Sequence, residues 1–246
     1  LLLASRVPKS LENAAGVSPQ LGAGGPGRLY ETRSRAGRPI VKLRRAPGGR
    51  PSRQGDLEAA LIRRKSVRSF SGEPMAVKEL ADILGGLYGQ GKDSLFPDAL
   101  RYVYSVVFVF AVRGVKPGMY LYSPDDHALR AIRHGDFRRT ICRTVSGMPS
   151  AKTATFAVLF CADIIPFITS RGAERALRDL YVVMGIISQR LLVGASRSGI
   201  MGVVSPALQD RFALRQTKSL DRAILPIYSA VLGWPKGEAG RASHAG

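Results

Sequence analysis

The sequence predicts an α+β domain: a mainly antiparallel central sheet of four or five strands packed with helices. Three observations carry this expectation. Long runs rich in Val, Tyr and Phe, YVYSVVFVFAVRG, TATFAVLFCAD and AILPIYSAVLGW, have the composition of buried strands. Two stretches repeat apolar residues at helical spacing, VKELADILGGLY and residues 174–195. Short turn signals join neighbouring strands, as at Pro117-Gly118 and Pro124-Asp125-Asp126.

Taken in order, residues 1–55 stand apart. They carry 11 Lys and Arg against Glu12 and Glu31, nine of the net +19 of the 246-residue chain. Gly, Pro, Ser and Arg dominate, so the segment cannot bury enough apolar surface to offset its ordering entropy alone. It reads as a basic arm, flexible or wrapped on another surface, in which RPIVKLRR can supply one short strand. Asp56 is placed to N-cap a helix over LEAALIRR. A second helix follows, with Leu80, Ile83, Leu84, Leu87 and Tyr88 on one face. The strand YVYSVVFVFAVRG leads through Pro117-Gly118 to a short strand, MYLYS. Residues 137–145 read as helix, TATFAVLFCAD as strand, and 174–195 as the longest helix, stopped at Gly199. IMGVV is a strand, Ser205-Pro206 opens a helix over PALQDRFAL, and AILPIYSAVLGW is the last strand. The organisation is an arm over 1–55, one domain over 56–236 and a loose tail over 237–246.

Several function classes are unsupported. The apolar runs fall short of the roughly 20 residues of a membrane span, and the opening LLLASR lacks the pattern of a secretion signal. The reading is a soluble protein. Cys142 and Cys161 form no CxxC and have no nearby His, so a reducing cytoplasm is the expected setting. His127, His134 and His244 have no partner at metal-ligand spacing, which leaves no expected metal site. The sequence contains no GxSxG elbow, Walker loop or dinucleotide fingerprint. A charge of +19 favours anionic partners. Aromatic residues do not interleave with the basic clusters, however, so nucleic acid is not the expected partner. If the chain is an enzyme, a cofactor carries its chemistry.

One basic run is more specific than the rest. In IRRKSVRSF, Arg64, Ser66 and Arg68 alternate just beyond a helix end, so on extended chain they share a face. Two guanidiniums flanking a hydroxyl can grip a phosphate. A solvated cationic helix end, favoured by the macrodipole, accounts for the same residues.

The series LEAALIRRKSVRSFSGEPMAVKELADILGGLYG resembles the opening of the FMN-dependent nitroreductase fold. More narrowly, it is similar to the SagB-type dehydrogenases, which oxidise azoline rings to azoles in modified peptides. The similarity continues through VRGVKPGMYLYSPDDHALRAIRHGD and the ending AILPIYSAVLGWP, covering residues 28–236. The resemblance implies FMN as cofactor, its phosphate held by Arg64, Lys65, Ser66 and Arg68, ahead of a Pro74-led helix. It also implies Gln189 on the long helix and Gly202 against the flavin edge as cofactor-binding residues. It further implies a homodimer with flavin at the subunit interface, working beside a cyclodehydratase on a modified peptide.

Departures from the family's pattern are equally specific. The ring-side Ser-Gly-Gly segment is replaced by LFPDALRY, which keeps only Ala99 and Leu100, and VMGIISQR keeps only Gly185 and Gln189. Arg171 and Gly172 stand nearest the family's Lys-Tyr pair, and Arg stays protonated while Gly has no phenol. The catalytic residue is therefore left unassigned. Tyr102, Tyr104, Tyr120 and Tyr122 are proton acceptors in principle but read as core. A catalytically silent homologue, acting as scaffold or recognition subunit of a peptide-modifying complex, is the alternative.

Overall fold

A computed structural model describes residues 40–44, 54–88, 100–218, 220 and 224–237, all within the unit Ser34–Gly246. Most of the arm, residues 95–99 of LFPDALRY and the tail beyond Gly237 lie outside the described residues.

In chain order the elements are β1 (Ile40–Lys42), α1 (Gln54–Arg63), β2 (Met75–Ala76), α2 (Val77–Gly85), β3 (Val103–Val109), β4 (Val112–Arg113), β5 (Gly118–Ser123) and β6 (Ala128–His134). After these come α3 (Arg138–Thr144), a 3-10 turn (Pro149–Lys152), β7 (Phe156–Asp163), α4 (Ile164–Arg171), α5 (Ala173–Arg197), β8 (Met201–Ser205), α6 (Asp210–Thr217) and β9 (Ile224–Gly233).

The α+β class and the antiparallel sheet are as expected, but the sheet has seven strands rather than four or five, in the order β1-β6-β5-β3-β7-β9-β8. All its pairings are antiparallel. β2 and β4 form a separate parallel pair. β1 is the short strand expected within RPIVKLRR, and β6 is one the composition hides. β6 reads ALRAIRH, whose arginines mask its alternation, and it becomes a strand because β5 and β1 supply its ladders. β1, inside the basic arm, is ordered by that same pairing, Val41 opposite Leu129.

Other boundaries moved for local reasons. α1 begins at Gln54, so Asp56 lies inside it rather than capping it. α2 begins at Val77, beyond Pro74, with the Ala76 N–H donating to Glu79 Oε2 (2.6 Å). Ser205-Pro206 does not open a helix: Ser205 ends β8, its Oγ accepts from the Ala207 N–H (3.0 Å), and α6 starts at Asp210. α4 went unread because Ile164-Ile165-Pro166 looks like a strand end. Pro166 falls in the helix's first turn, where no intrahelical amide is needed. Pro226 sits on the half of β9 that β8 does not reach, and pairs with Cys161 of β7 where that ladder's register shifts.

Alternation along the central strands gives the sheet two covered faces. Val103, Val107 and Val109 of β3, Phe156, Val158 and Phe160 of β7 and Leu232 of β9 join Leu80, Leu84, Leu180, Met184, Ile187 and Leu191 in the main core. That face is roofed by α2 and α5. The opposite face carries Phe108, which meets Phe137 edge-on (5.8 Å between centroids), and Phe110, under the Arg138 guanidinium (5.2 Å). It is covered by α3 and α6, joined where the Gln209 N–H donates to Thr144 O (2.8 Å). Among the described residues, no helix is long and apolar enough to cross a membrane.

Both cysteines are buried and free. Burial pushes the thiol pKa of Cys161 strongly upward and also raises that of Cys142. Because the thiolate is the reactive species, a disulfide-exchange reagent at pH 7.5 is expected to label neither within minutes. Both should react at once in denaturant; rapid native labelling of Cys161 would contradict its position in β7.

Candidate functional site

The Arg64 N–H closes the last turn of α1 on Ala60 O (3.1 Å), and the chain then runs extended. Ser66 pairs in parallel with Gly202 at the start of β8, and the Val67 N–H donates to Gly202 O (3.1 Å). Phe70, 2% exposed, pairs with Pro235, the Ser71 N–H donates to Trp234 O (2.9 Å), and the Lys236 N–H donates to Ser69 O (3.0 Å). The cationic run is thus fastened at one end to β8 and at the other to the exit of β9. An anchored backbone matters because it reduces the entropy lost when these side chains order around a ligand.

On this frame Arg64 is half-buried, and Lys65, Ser66 and Arg68 are exposed. Among the described residues, no carboxylate pairs with Arg64, Lys65 or Arg68. Cations without a carboxylate partner among the described residues, beside a hydroxyl on an anchored backbone, are groups that could hold a phosphate.

Gly202 is a glycine for a packing reason. A Cβ there would lie 2.7 Å from Leu232 Cγ and 2.7 Å from Val231 O. The sequence-predicted sites Ser66 and Gly202 are therefore brought together. Gln189 is not joined to them: it is exposed on α5, with no side-chain hydrogen bond among the described residues. It lies two turns, about 10 Å, before Ser196, whose Oγ donates to Ala60 O of α1 (3.2 Å). Gln189 and Ser196 thus share one stripe of α5, covered by α1 only at its C-terminal end. Sequence reasoning missed Arg190, next to Gln189, whose Nη1 is buried without a hydrogen-bond partner among the described residues. Its only sequence signal is a cation beside an apolar run.

Arg171 and Gly172 have structural duties. Arg171 Nη1 donates to Asp179 Oδ2 (2.5 Å), which Arg175 Nε also approaches (3.2 Å), and its guanidinium lies 5.5 Å from the Phe167 ring centre. Gly172 holds φ 78° between α4 and α5, a left-handed value that favours glycine. Tyr104, Tyr120 and Tyr122 are buried, and Tyr102 packs edge-on against Phe167. Tyr120 donates to Lys116 O (2.5 Å), and burial raises its pKa. Burial also drives the Tyr88 pKa far up, only partly offset by its hydrogen bond with Ser105 (2.6 Å). These phenols belong to the core, as their strand positions implied. Among the described residues, no three His, Cys, Asp or Glu side chains group as metal ligands.

No model of a known protein family matches the chain. It is 26% identical over 209 residues to the trifolitoxin operon protein TfxC of Rhizobium leguminosarum bv. trifolii, across 75% of this chain and 58% of that protein. Solved structures share its architecture. A nitroreductase-like protein of Anabaena variabilis superposes with TM-score 0.71 at 23% identity, over 81% of this chain and 42% of that one. In the E. coli microcin synthetase McbBCD complex with truncated pro-MccB17 bound, the match has TM-score 0.59 at 16% identity, over 92% of this chain and 87% of that one. The NADPH:FMN oxidoreductase of Vibrio harveyi gives TM-score 0.50 at 16% identity, over 74% and 69%. The chain thus spans little more than half of TfxC and less than half of the Anabaena protein. Its fold is that of the nitroreductases.

Proposed function

We propose that this chain, which has the nitroreductase fold and resembles the SagB-type dehydrogenases, is an FMN-dependent oxidoreductase of modified-peptide biosynthesis. Its substrate would be an azoline-bearing peptide, oxidised to the azole. The observation that carries the reading is the cationic run of residues 64–68, fastened to Gly202 and without a carboxylate partner among the described residues. The likenesses to the trifolitoxin operon protein TfxC and to the microcin synthetase complex support the peptide part of this reading, and that to the Vibrio NADPH:FMN oxidoreductase supports FMN.

When bound, FMN supplies the hydride acceptor. Arg64, Lys65 and Arg68, with the Ser66 hydroxyl, hold its phosphate. Gly202, to which Ser66 and Val67 are fastened, and Gln189 on α5 are the further residues that the resemblance assigns to the cofactor. Arg171 takes no part in proton transfer, being permanently charged and paired with Asp179. The exposed apolar residues Ile165, Leu177, Tyr181 and Val182 on α4 and α5 give a homodimer its interface. The basic arm meets the cyclodehydratase or peptide, and the free thiols suit a reducing cytoplasm.

Purified protein is expected to be yellow, with flavin absorbance bands, and to bleach when an azoline peptide is added without oxygen. A colourless protein that added FMN neither binds nor stabilises would overturn the reading. That result would favour the catalytically silent scaffold, for which the Arg171–Asp179 pair and the Gly172 turn speak.

A further inference from the structure

A second basic site lies on the face of the sheet opposite α5. Between α3 and α6 a pocket of about 410 Å³ is lined by Arg139, Thr140, Arg143, Phe212, Arg215 and Gln216. None of the six is acidic. Among the described residues, no carboxylate pairs with Arg139, Arg143 or Arg215, all three of which are exposed. Neighbouring cations are occupied. Arg138 pairs with Asp136 (3.3 Å), while Arg133 lies over the Phe137 ring (4.6 Å) and donates to Gln216 Oε1 (3.4 Å). Gln216, 8% exposed, also donates its Nε2 to Phe212 O (3.2 Å), so its amide is a fixed wall. Arg215 borders the Phe212 ring, 5.8 Å from its centre.

The spacing of the cations defines what fits. Arg139 and Arg143 stand one helical turn apart on α3, with their Cβ atoms about 6 Å apart. The pocket offers no glycine loop whose amides could converge on one compact phosphate, only long guanidinium stems spread over two helices. An extended peptide presents alternate side chains on one face about 6.6 Å apart, which matches that spacing, and each guanidinium can take a carboxylate bidentately. Phe212 supplies apolar surface for a side chain between them.

We infer that the α3–α6 pocket docks an extended acidic peptide segment, whose alternate carboxylates engage Arg139, Arg143 and Arg215. The pocket shares no residue with the phosphate seat, so it stands whether or not flavin is bound there.

The test is fluorescence anisotropy at physiological salt with a fluorescein-labelled peptide in which glutamate alternates with glycine. R139Q/R143Q/R215Q is expected to weaken binding about tenfold or more. R113Q/R178Q/R197Q, which removes the same charge from exposed positions elsewhere, should leave it within about twofold. The single variant R143Q should already weaken binding measurably, and circular dichroism confirms folding of each variant. FMN content, read on the same samples, should not change in the pocket variants, so failure of the flavin reading would be seen separately. Equal weakening in both triple variants would overturn the inference by showing attraction to net charge alone. So would absence of binding to the parent protein, or displacement of the peptide by inorganic pyrophosphate at lower concentration than by the unlabelled peptide itself.

Discussion

Replacing Arg64 and Arg68 together by alanine is expected to yield protein that purifies without FMN. A hydrogen bond to a charged group contributes about 1.5–3 kcal/mol. Losing one from each guanidinium therefore weakens the cofactor by about 3 kcal/mol or more, roughly two orders of magnitude in Kd. Folding should be spared, because Arg64 is half-buried, Arg68 is exposed, and neither pairs with a carboxylate among the described residues. The segment's attachment runs through backbone groups that the substitutions leave in place, Val67 N–H to Gly202 O and Ser71 N–H to Trp234 O. The measurements are released FMN per mole of protein and the melting temperature of the apo-protein. Equal FMN content in variant and parent would place the phosphate elsewhere. Lysine at both positions should retain part of the binding, since charge survives while the two-pronged donor geometry is lost.

Gly202→Ala is expected to destabilise the fold itself. The added methyl would stand 2.7 Å from Leu232 Cγ and 2.7 Å from Val231 O. Leucine can turn away, but the Val231 carbonyl belongs to the β8–β9 ladder and can move only with the strand. Overpacking of this kind costs about 1–3 kcal/mol. At about 2–4 °C per kcal/mol for a chain of this size, Tm should fall by several degrees. Because Ser66 and Val67 attach to the same residue, FMN content should fall as well. An unchanged Tm would show that β8 does not sit against β9 in this register. The two variants separate ligand from scaffold: one removes cofactor and spares stability, the other damages both.

Legibility in the sequence followed the kind of signal each element carries. β3, β7 and β9 were readable because central strands are covered on both faces and their residues are mostly apolar. α5 was readable because its core-facing stripe runs without interruption from Ala176 to Ala195. β6 was hidden by Arg130 and Arg133, which sit on a strand because they have local partners, Asp126 for Arg130 and the Phe137 ring for Arg133. Ser205-Pro206 carried a strong local helix signal, but the pairing of Ser205 with Ser229 in the sheet prevailed.

The candidate site divides in the same way. Arg64, Ser66 and Arg68 stood out because their chemistry is local, three residues alternating on one strand of chain. The meeting of Ser66 with Gly202 is a contact between residues 136 positions apart, which no local pattern specifies. The pocket of Arg139, Arg143 and Arg215 was equally invisible, since its cations come from helices separated in sequence by the strands β7 and β8 and the helices α4 and α5.

By itself, then, the sequence determined the α+β class, the main buried strands, the longest helix and the position of the cationic run at 64–68, because burial and charge are written residue by residue. Tertiary structure alone decided the seventh strand, the clamping of that run, the reason for glycine at 202, and the duties of Arg171 and Gly172. Those depend on which distant segment supplies a hydrogen bond, an ion pair or a wall. A chain reveals such partners only when it is folded.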